Sequence, residues 1–241
     1  MRRDGRAADA LRTIAFDLDF TANPLGSVLC RMGRTAVLCT VSEQAGVPRW
    51  LKGSGQGWLT AEYSLLPGST DQRVEREATR GRLSGRTMEI QRLIGRSLRA
   101  VVDLRVLGDR TLWIDCDVLE ADGGTRTASV TGAWVALALA CRRLQAREKI
   151  TADPLRTSVA AVSVGIVDGE VRLDLPYEED ARADVDMNFV ITGEDQFIEV
   201  QGTAEGAAFS REQLDALTSI ALRGATGIRE AQAEALRGAK V

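Results

Sequence analysis

An α+β fold, with mixed sheets and packed helices, is predicted for this chain by the order of its apolar patterns. A strand-rich first third is followed by two helical segments with a strand between them, and then by further strands and a final long helix. Strands and helices thus come in runs, twice over in coarse outline, without the regular alternation of an α/β barrel. At 241 residues, with 44% hydrophobic and 27% charged side chains, the chain can bury a sizeable core.

The first strands read from β-rich runs at Thr13–Phe20, Ser27–Arg31, Ala36–Ser42 and Trp58–Leu65, separated by glycine and proline signals. Residues 66–86 are polar, basic and glycine-punctuated, and predict a long loop with a short helix. From Thr87 to Asp103, Ile90, Leu93, Ile94, Leu98 and Val101 recur at helical spacing, placing Arg92, Arg96 and Arg99 on the opposite face. Extending that helix backward turns Arg86 toward the apolar stripe. Thr111–Leu119 reads as a strand, Glu120–Thr127 as a glycine turn, and Ala128–Leu144 as a long apolar helix. Val159–Val167 and Glu170–Leu175 are strands joined by Asp168-Gly169, a strong hairpin signal. An acidic loop over Tyr177–Asp186 leads to strands at Met187–Thr192 and Gln196–Val200. Ser210 with Gln213 forms a capping box for a last helix over Arg211–Leu236, which Gly224 and Gly227 are placed to break.

Composition narrows the chemistry. Histidine is absent, which excludes an in-chain Ser-His-Asp triad, a histidine base and histidine metal ligands. Cys30, Cys39, Cys116 and Cys141 lie in apolar stretches without CxxC spacing and read as reduced, buried thiols. No apolar run reaches the roughly eighteen residues of a membrane span, and the opening residues lack the apolar core of a signal peptide, so the expected compartment is the cytoplasm. The net charge of −3 is unevenly spread: from Arg73 to Arg110, ten arginines face five acids. Of 31 basic residues 28 are arginine, whose planar fork pairs two phosphate oxygens at once, although genomic GC bias favours arginine as well.

Four features could carry chemistry. Asp122-Gly123-Gly124-Thr125-Arg126-Thr127 lies between a strand and a helix, where backbone N–H groups and Arg126 could hold an anion; it also fits a tight turn in which Thr127 caps the helix. It is neither a P-loop nor a GxGxxG fingerprint, so no ATP or dinucleotide cofactor is expected. Arg86, near a core face, needs an anionic partner, either a phosphate or a carboxylate such as Asp103 of a neighbour or Asp122. Glu178, Glu179, Asp180, Asp184 and Asp186 suit magnesium or manganese, or form a solvated loop. Arg73 and Arg76, with Arg92, Arg96 and Arg99, fit phosphate contacts on RNA, a solvated face or a subunit contact.

Taken together the chain resembles the ribonuclease PH family, the phosphate-dependent 3′→5′ exoribonucleases of bacteria. The matching stretches are RRDGRAADALR (2–12), GVPRWLKGSGQGWLTAEY (46–63), GRTMEIQRLIGRSLRAVVDL (85–104), DCDVLEADGGTRTASVTGA (115–133), AAVSVGIVDGE (160–170), DMN (186–188) and IEVQGTAEG (198–206). The resemblance implies that Arg86, Gly124, Thr125 and Arg126 bind the attacking inorganic phosphate. It implies that Asp180 and Asp186 serve acid catalysis and hold Mg2+ or Mn2+, and that Arg73 and Arg76 contact RNA. Gly68 stands where a third family arginine is expected. The implied fold is the duplicated β-α-β ribonuclease PH fold, similar to the second domain of ribosomal protein S5, read here as one domain over residues 1–241 with internal pseudo-duplication. The implied partner is RNA, above all tRNA 3′ ends, the implied assembly a homohexamer built as a trimer of dimers, with no membrane. The competing expectation is a catalytically silent RNA-binding subunit of an exosome-like ring.

Overall fold

Among the described residues, β-branched runs bounded by glycine and aspartate turns fold into nine strands in two sheets. The computed structural model describes residues 2–206 and 208–239, apart from the side chain of Arg80, one of the ten arginines counted above; Lys240 also lies outside the described residues. The first sheet comprises β1 (Ile14–Leu18), β2 (Gly26–Met32), β3 (Thr35–Ala45), β4 (Trp58–Leu65) and β5 (Arg110–Glu120), in the order β1-β2-β3-β5-β4. β4 runs parallel to β5 and the other pairs are antiparallel, so this sheet is mixed. The second contains β6 (Val159–Val167), β7 (Glu170–Leu173), β8 (Val185–Thr192) and β9 (Phe197–Ala204), in the order β7-β6-β8-β9, and is antiparallel throughout, where mixed sheets were expected. Asp168 and Gly169 both take positive φ in the β6–β7 turn, the geometry of a two-residue hairpin that favours this dipeptide.

Between β4 and β5 the chain forms α1 (Glu77–Arg80), α2 (Gly85–Ala100) and α3 (Leu104–Leu107). Ser84 caps α2 by accepting from the Thr87 N–H at 3.1 Å. α4 (Thr125–Ala146) packs on β2, β3 and β6 and is buried almost all round, which matches its unbroken apolar sequence. It begins at Thr125, three residues before the expected start, because Gly124 adopts a left-handed conformation (φ 66°) directly before it. Thr127 therefore lies inside the first turn and donates its hydroxyl proton to the Gly124 carbonyl. Among the described residues the main apolar cluster, drawing on both sheets and on α2, α4 and α6 (Arg211–Arg237), forms the core, and a small second one joins Val167, Leu175 and Ala183.

α6 runs unbroken through Gly224 and Gly227, contrary to the sequence expectation. A Cβ at Gly224 would lie 2.6 Å from Leu173 Cδ1, so this glycine serves close packing of the helix on β7 and does not interrupt it. The capping box of Ser210 and Gln213 is present. All four cysteines are free and buried, with Cys39 and Cys116 facing one another across β3 and β5 at 3.9 Å. Among the described residues, no helix is long and apolar enough to cross a membrane.

Candidate active site

The glycine turn and the acidic segment, about fifty residues apart in sequence, meet at the N-terminus of α4. A Cβ on Gly123 would stand 2.6 Å from the Leu175 carbonyl oxygen and 2.7 Å from the Tyr177 nitrogen. Only glycine, which also supplies the required φ of 73°, lets the two backbones abut. Arg12 fixes the turn from below: its guanidinium donates to the Asp122 carbonyl at 2.6 Å and grips the buried Asp174 carboxylate at 2.7 and 3.0 Å. The first N–H groups of α4 have no intrahelical acceptors and carry the positive end of the helix dipole toward the turn. Thr125 is buried, with its hydroxyl 2.9 Å from that of Tyr63.

The acidic segment divides into parts with different work. Residues Tyr177–Asp180 form one helical turn, α5, where a loop was expected. Glu178 is exposed and pairs with Arg3. Glu179 is buried between two arginines, accepting from Arg2 at 2.8 and 3.1 Å and from Arg172 at 3.0 Å. Asp184 is exposed in the turn after α5. Asp186 belongs to β8, not to the loop, and faces Asp180.

Asp180 and Asp186 are electrostatically coupled. Burial and then repulsion by Asp180 raise the Asp186 carboxyl to about 6, with Arg126 and Arg86 pulling it down. Burial likewise raises Asp180, offset first by Arg86 and then by Arg126. The structure therefore brings Arg86, Arg126, Asp180 and Asp186 into one electrostatic unit. Arg86 itself is exposed, which corrects its expected position on the apolar stripe. Thr87 takes the core-side position in that first turn of α2, and the buried line runs from it through Ile90 and Ile94 to Leu98. Among the described residues Arg86 has no hydrogen-bond or ion-pair partner, and Asp103 pairs with Arg156 instead.

The three arginines further along α2 differ. Arg92 is exposed, Arg96 pairs with Glu199, and Arg99 lies half-buried 4.6 Å over the Trp58 ring while donating to the Leu59 carbonyl. Arg73 and Arg76 are exposed on the segment before α2. No Cβ contact is found within 4 Å at Gly68, an exposed position with open space around it.

A cavity of about 490 Å3 opens beside these groups, lined by Glu89, Arg126, Asp186, Asn188, Gln201 and Thr203. A larger hollow of about 580 Å3 lies at the far, C-terminal end of α4, where Arg143 already bonds Asp19 at 2.7 Å. Of the four groups in the electrostatic unit, Arg126 and Asp186 line the smaller one. Asp186 at its wall, with Asp180 facing it, suits a hard divalent cation: Asp186 Oδ1 is buried with no hydrogen-bond partner among the described residues, and Mg2+ is held by one or two carboxylates together with waters and substrate oxygens.

Sequence reasoning missed Arg2, Arg12, Asp174 and Gln201. Their partners lie 75 to 177 residues away, so no local spacing announces them. The one available signal was the set of four arginines in the first twelve residues, too many for a segment with two acids of its own.

Comparison with known proteins agrees over most of the chain. The model of the 3′ exoribonuclease family, domain 1, matches residues 10–142, and that of domain 2 matches residues 157–224. A protein named Ribonuclease PH from Mycobacterium avium (strain 104) is 58% identical over 237 residues, covering 98% of this chain and 92% of its own. Another, from Rhodococcus erythropolis (strain PR4 / NBRC 100887), is 56% identical over 236 residues, covering 98% and 90%. Among solved structures, rice (Oryza sativa) Rrp46 superposes with a TM-score of 0.79 at 19% identity, covering 98% of this chain and all of its own. A chain of the Archaeoglobus fulgidus exosome with RNA bound to the active site reaches 0.80 at 23% identity over 95% of this chain and 91% of its own. These two likenesses concern the fold.

Proposed function

This chain belongs to the ribonuclease PH family of 3′ exoribonucleases, and from that premise we propose that it shortens RNA from the 3′ end by phosphorolysis. Inorganic phosphate attacks the last phosphodiester, the bond from phosphorus to the 3′ oxygen of the preceding nucleotide breaks, and a nucleoside diphosphate leaves. The transfer is reversible. The observation that carries the reading is the meeting of two arginines with a coupled carboxylate pair at the positive end of α4.

In this scheme Arg86 and Arg126 hold the phosphate nucleophile, with the backbone of Gly124 and Thr125 at the helix N-terminus completing the cradle. Tyr63 and Arg12 keep that cradle in place. Asp180 and Asp186 would hold Mg2+ or Mn2+, which supplies positive charge against the scissile phosphoryl group when bound. The 3′ oxygen needs a proton as it leaves, and a carboxyl raised to about 6 retains one far better than an ordinary aspartate. Arg73 and Arg76 guide the RNA backbone without reading its sequence. We assign tRNA 3′ ends as the substrate class, read residues 1–241 as one functional unit with pseudo-duplicated halves, and assign a homohexameric trimer of dimers as the working assembly.

The deciding assay incubates a tRNA precursor bearing a short 3′ extension with magnesium, with and without phosphate. Diphosphates formed only with phosphate support the proposal. Monophosphates in both arms point to hydrolysis, and absence of product points to a silent ring subunit. Arg126→Ala is expected to raise the phosphate KM by about tenfold or more, the loss of roughly 1.5–3 kcal/mol of charge-assisted bonding, with RNA affinity in a filter assay unchanged.

A further inference from the structure

The cavity wall holds a side-chain network that the phosphate site does not by itself explain. Gln201 on β9 donates from Nε2 to Glu89 Oε1 of α2 at 2.8 Å and to Glu199 Oε1 at 2.9 Å. Both amide protons are thus committed to carboxylates. The remaining Oε1 accepts from Arg126 Nη1 at 2.7 Å. An amide turned the other way would set its oxygen against two carboxylate oxygens and its NH2 against a guanidinium, so the two acids impose the orientation. Arg96 in turn pairs with Glu199, and Glu89 lies 3.6 Å from Arg126, which keeps the cluster charge-balanced.

The geometry points to Gln201 as a positioning residue that sets the place of the Arg126 guanidinium, with Glu89 and Glu199 fixing its orientation. This rests on the phosphorolytic reading of Arg126 given above. Gln201 occupies Nη1 only. Among the described residues Nε and Nη2 have no hydrogen-bond partner, and they form the edge that pairs two phosphate oxygens in a fork. Anchoring one nitrogen of a flexible side chain lowers the conformational freedom that phosphate binding would otherwise have to remove. It also makes phosphate affinity depend on the seating of α2 against β9, the contact between the two halves of the chain on this side.

The test is Gln201→Leu, of similar volume and without polar atoms. Phosphate KM is expected to rise about tenfold, with kcat at saturating phosphate within a factor of two and RNA affinity without phosphate unchanged. The phosphate dissociation constant from calorimetry should rise in parallel, and that readout does not depend on turnover. Glu89→Leu is expected to raise phosphate KM about threefold, whereas Glu89→Gln, whose carbonyl can still accept from Gln201, should keep it within a factor of two. The Glu89 pair decides the matter if melting curves show that Gln201→Leu does not fold. Unchanged phosphate affinity in Gln201→Leu, a loss confined to kcat, or equal effects of the two Glu89 variants would overturn the assignment. A wild-type protein that releases no diphosphate would defeat the functional reading alone, since the calorimetric comparison still decides the role of Gln201.

Discussion

Asp186 carries a buried, unpartnered carboxylate oxygen beside a second carboxylate, an arrangement that opposes ionisation of the folded protein. Its carboxyl titrates near 6 in the fold against about 3.9 in an unfolded chain. Between those values the folded state binds more protons, so the contribution of this group to stability falls as pH rises from about 4 to 6 and stays unfavourable above that. Asp186→Asn is therefore expected to abolish turnover while raising Tm at pH 7.5 by several degrees, about 2–4 °C for each of the up to roughly 3 kcal/mol that a carboxyl moved from about 3.9 to about 6 represents. The gain should fall to about a third at pH 4.5, where the folded carboxyl is protonated but the unfolded one is still largely ionised, and vanish only below about pH 3. Thermal melts of both proteins at the two pH values check this. Gly123 makes a different point at the same scale: its missing side chain is what lets the turn touch the entry to α5.

The N-terminal segment acts as a strap on the second sheet. Arg2 donates to Glu179, to the Leu173 carbonyl at 2.8 Å and to the Asp174 carbonyl at 3.0 Å, while Arg12 holds the Asp174 carboxylate. Glu179 fixes α5 and hence Asp180 one residue on. In Glu179→Ala, Arg2 and Arg172 would be left buried without their shared carboxylate, a loss of about 3–5 kcal/mol for breaking a buried pair. Chemical denaturation should register it, and turnover at a temperature where the variant remains folded should fall with the displacement of Asp180. α2 illustrates how one element serves two surfaces. Its buried line packs on β4 and α4, and its outer side gives Glu89 and Arg96 to the β9 network.

At the scale of the molecule, one apolar cluster joins both sheets around α4, so the helix whose N-terminus faces the site is also the centre of the core. On the proposed reading, the RNA path is less crowded with charge than the phosphate cradle. Arg73 and Arg76 are exposed on the loop before α2, and Gly68 adds no cation. Replacing both arginines by alanine is expected to weaken RNA binding and to flatten the slope of log K against log salt by about 1.4, the contribution of two phosphate contacts on single-stranded RNA. Phosphate KM should not change. Filter binding over a salt series and steady-state kinetics separate the two effects.

Apolar periodicity made most elements legible, because core-facing positions repeat at intervals that the sequence itself displays. β4, β6 and the β6–β7 turn fall where the patterns place them, and the capping box marks the start of α6. Arg126 and the paired aspartates stood out as charge beside glycine and as clustered acid, and the resemblance to a known family joined them into one site. The exposed setting of Arg86 did not follow from the sequence, since helical phase drifts at a terminus where packing has not yet begun. Nor did the division of the acids, in which Glu179 is structural while Asp180 and Asp186 face each other. The division of the acids depends on partners such as Arg2 and Arg172, which only the tertiary fold brings within hydrogen-bonding distance of Glu179.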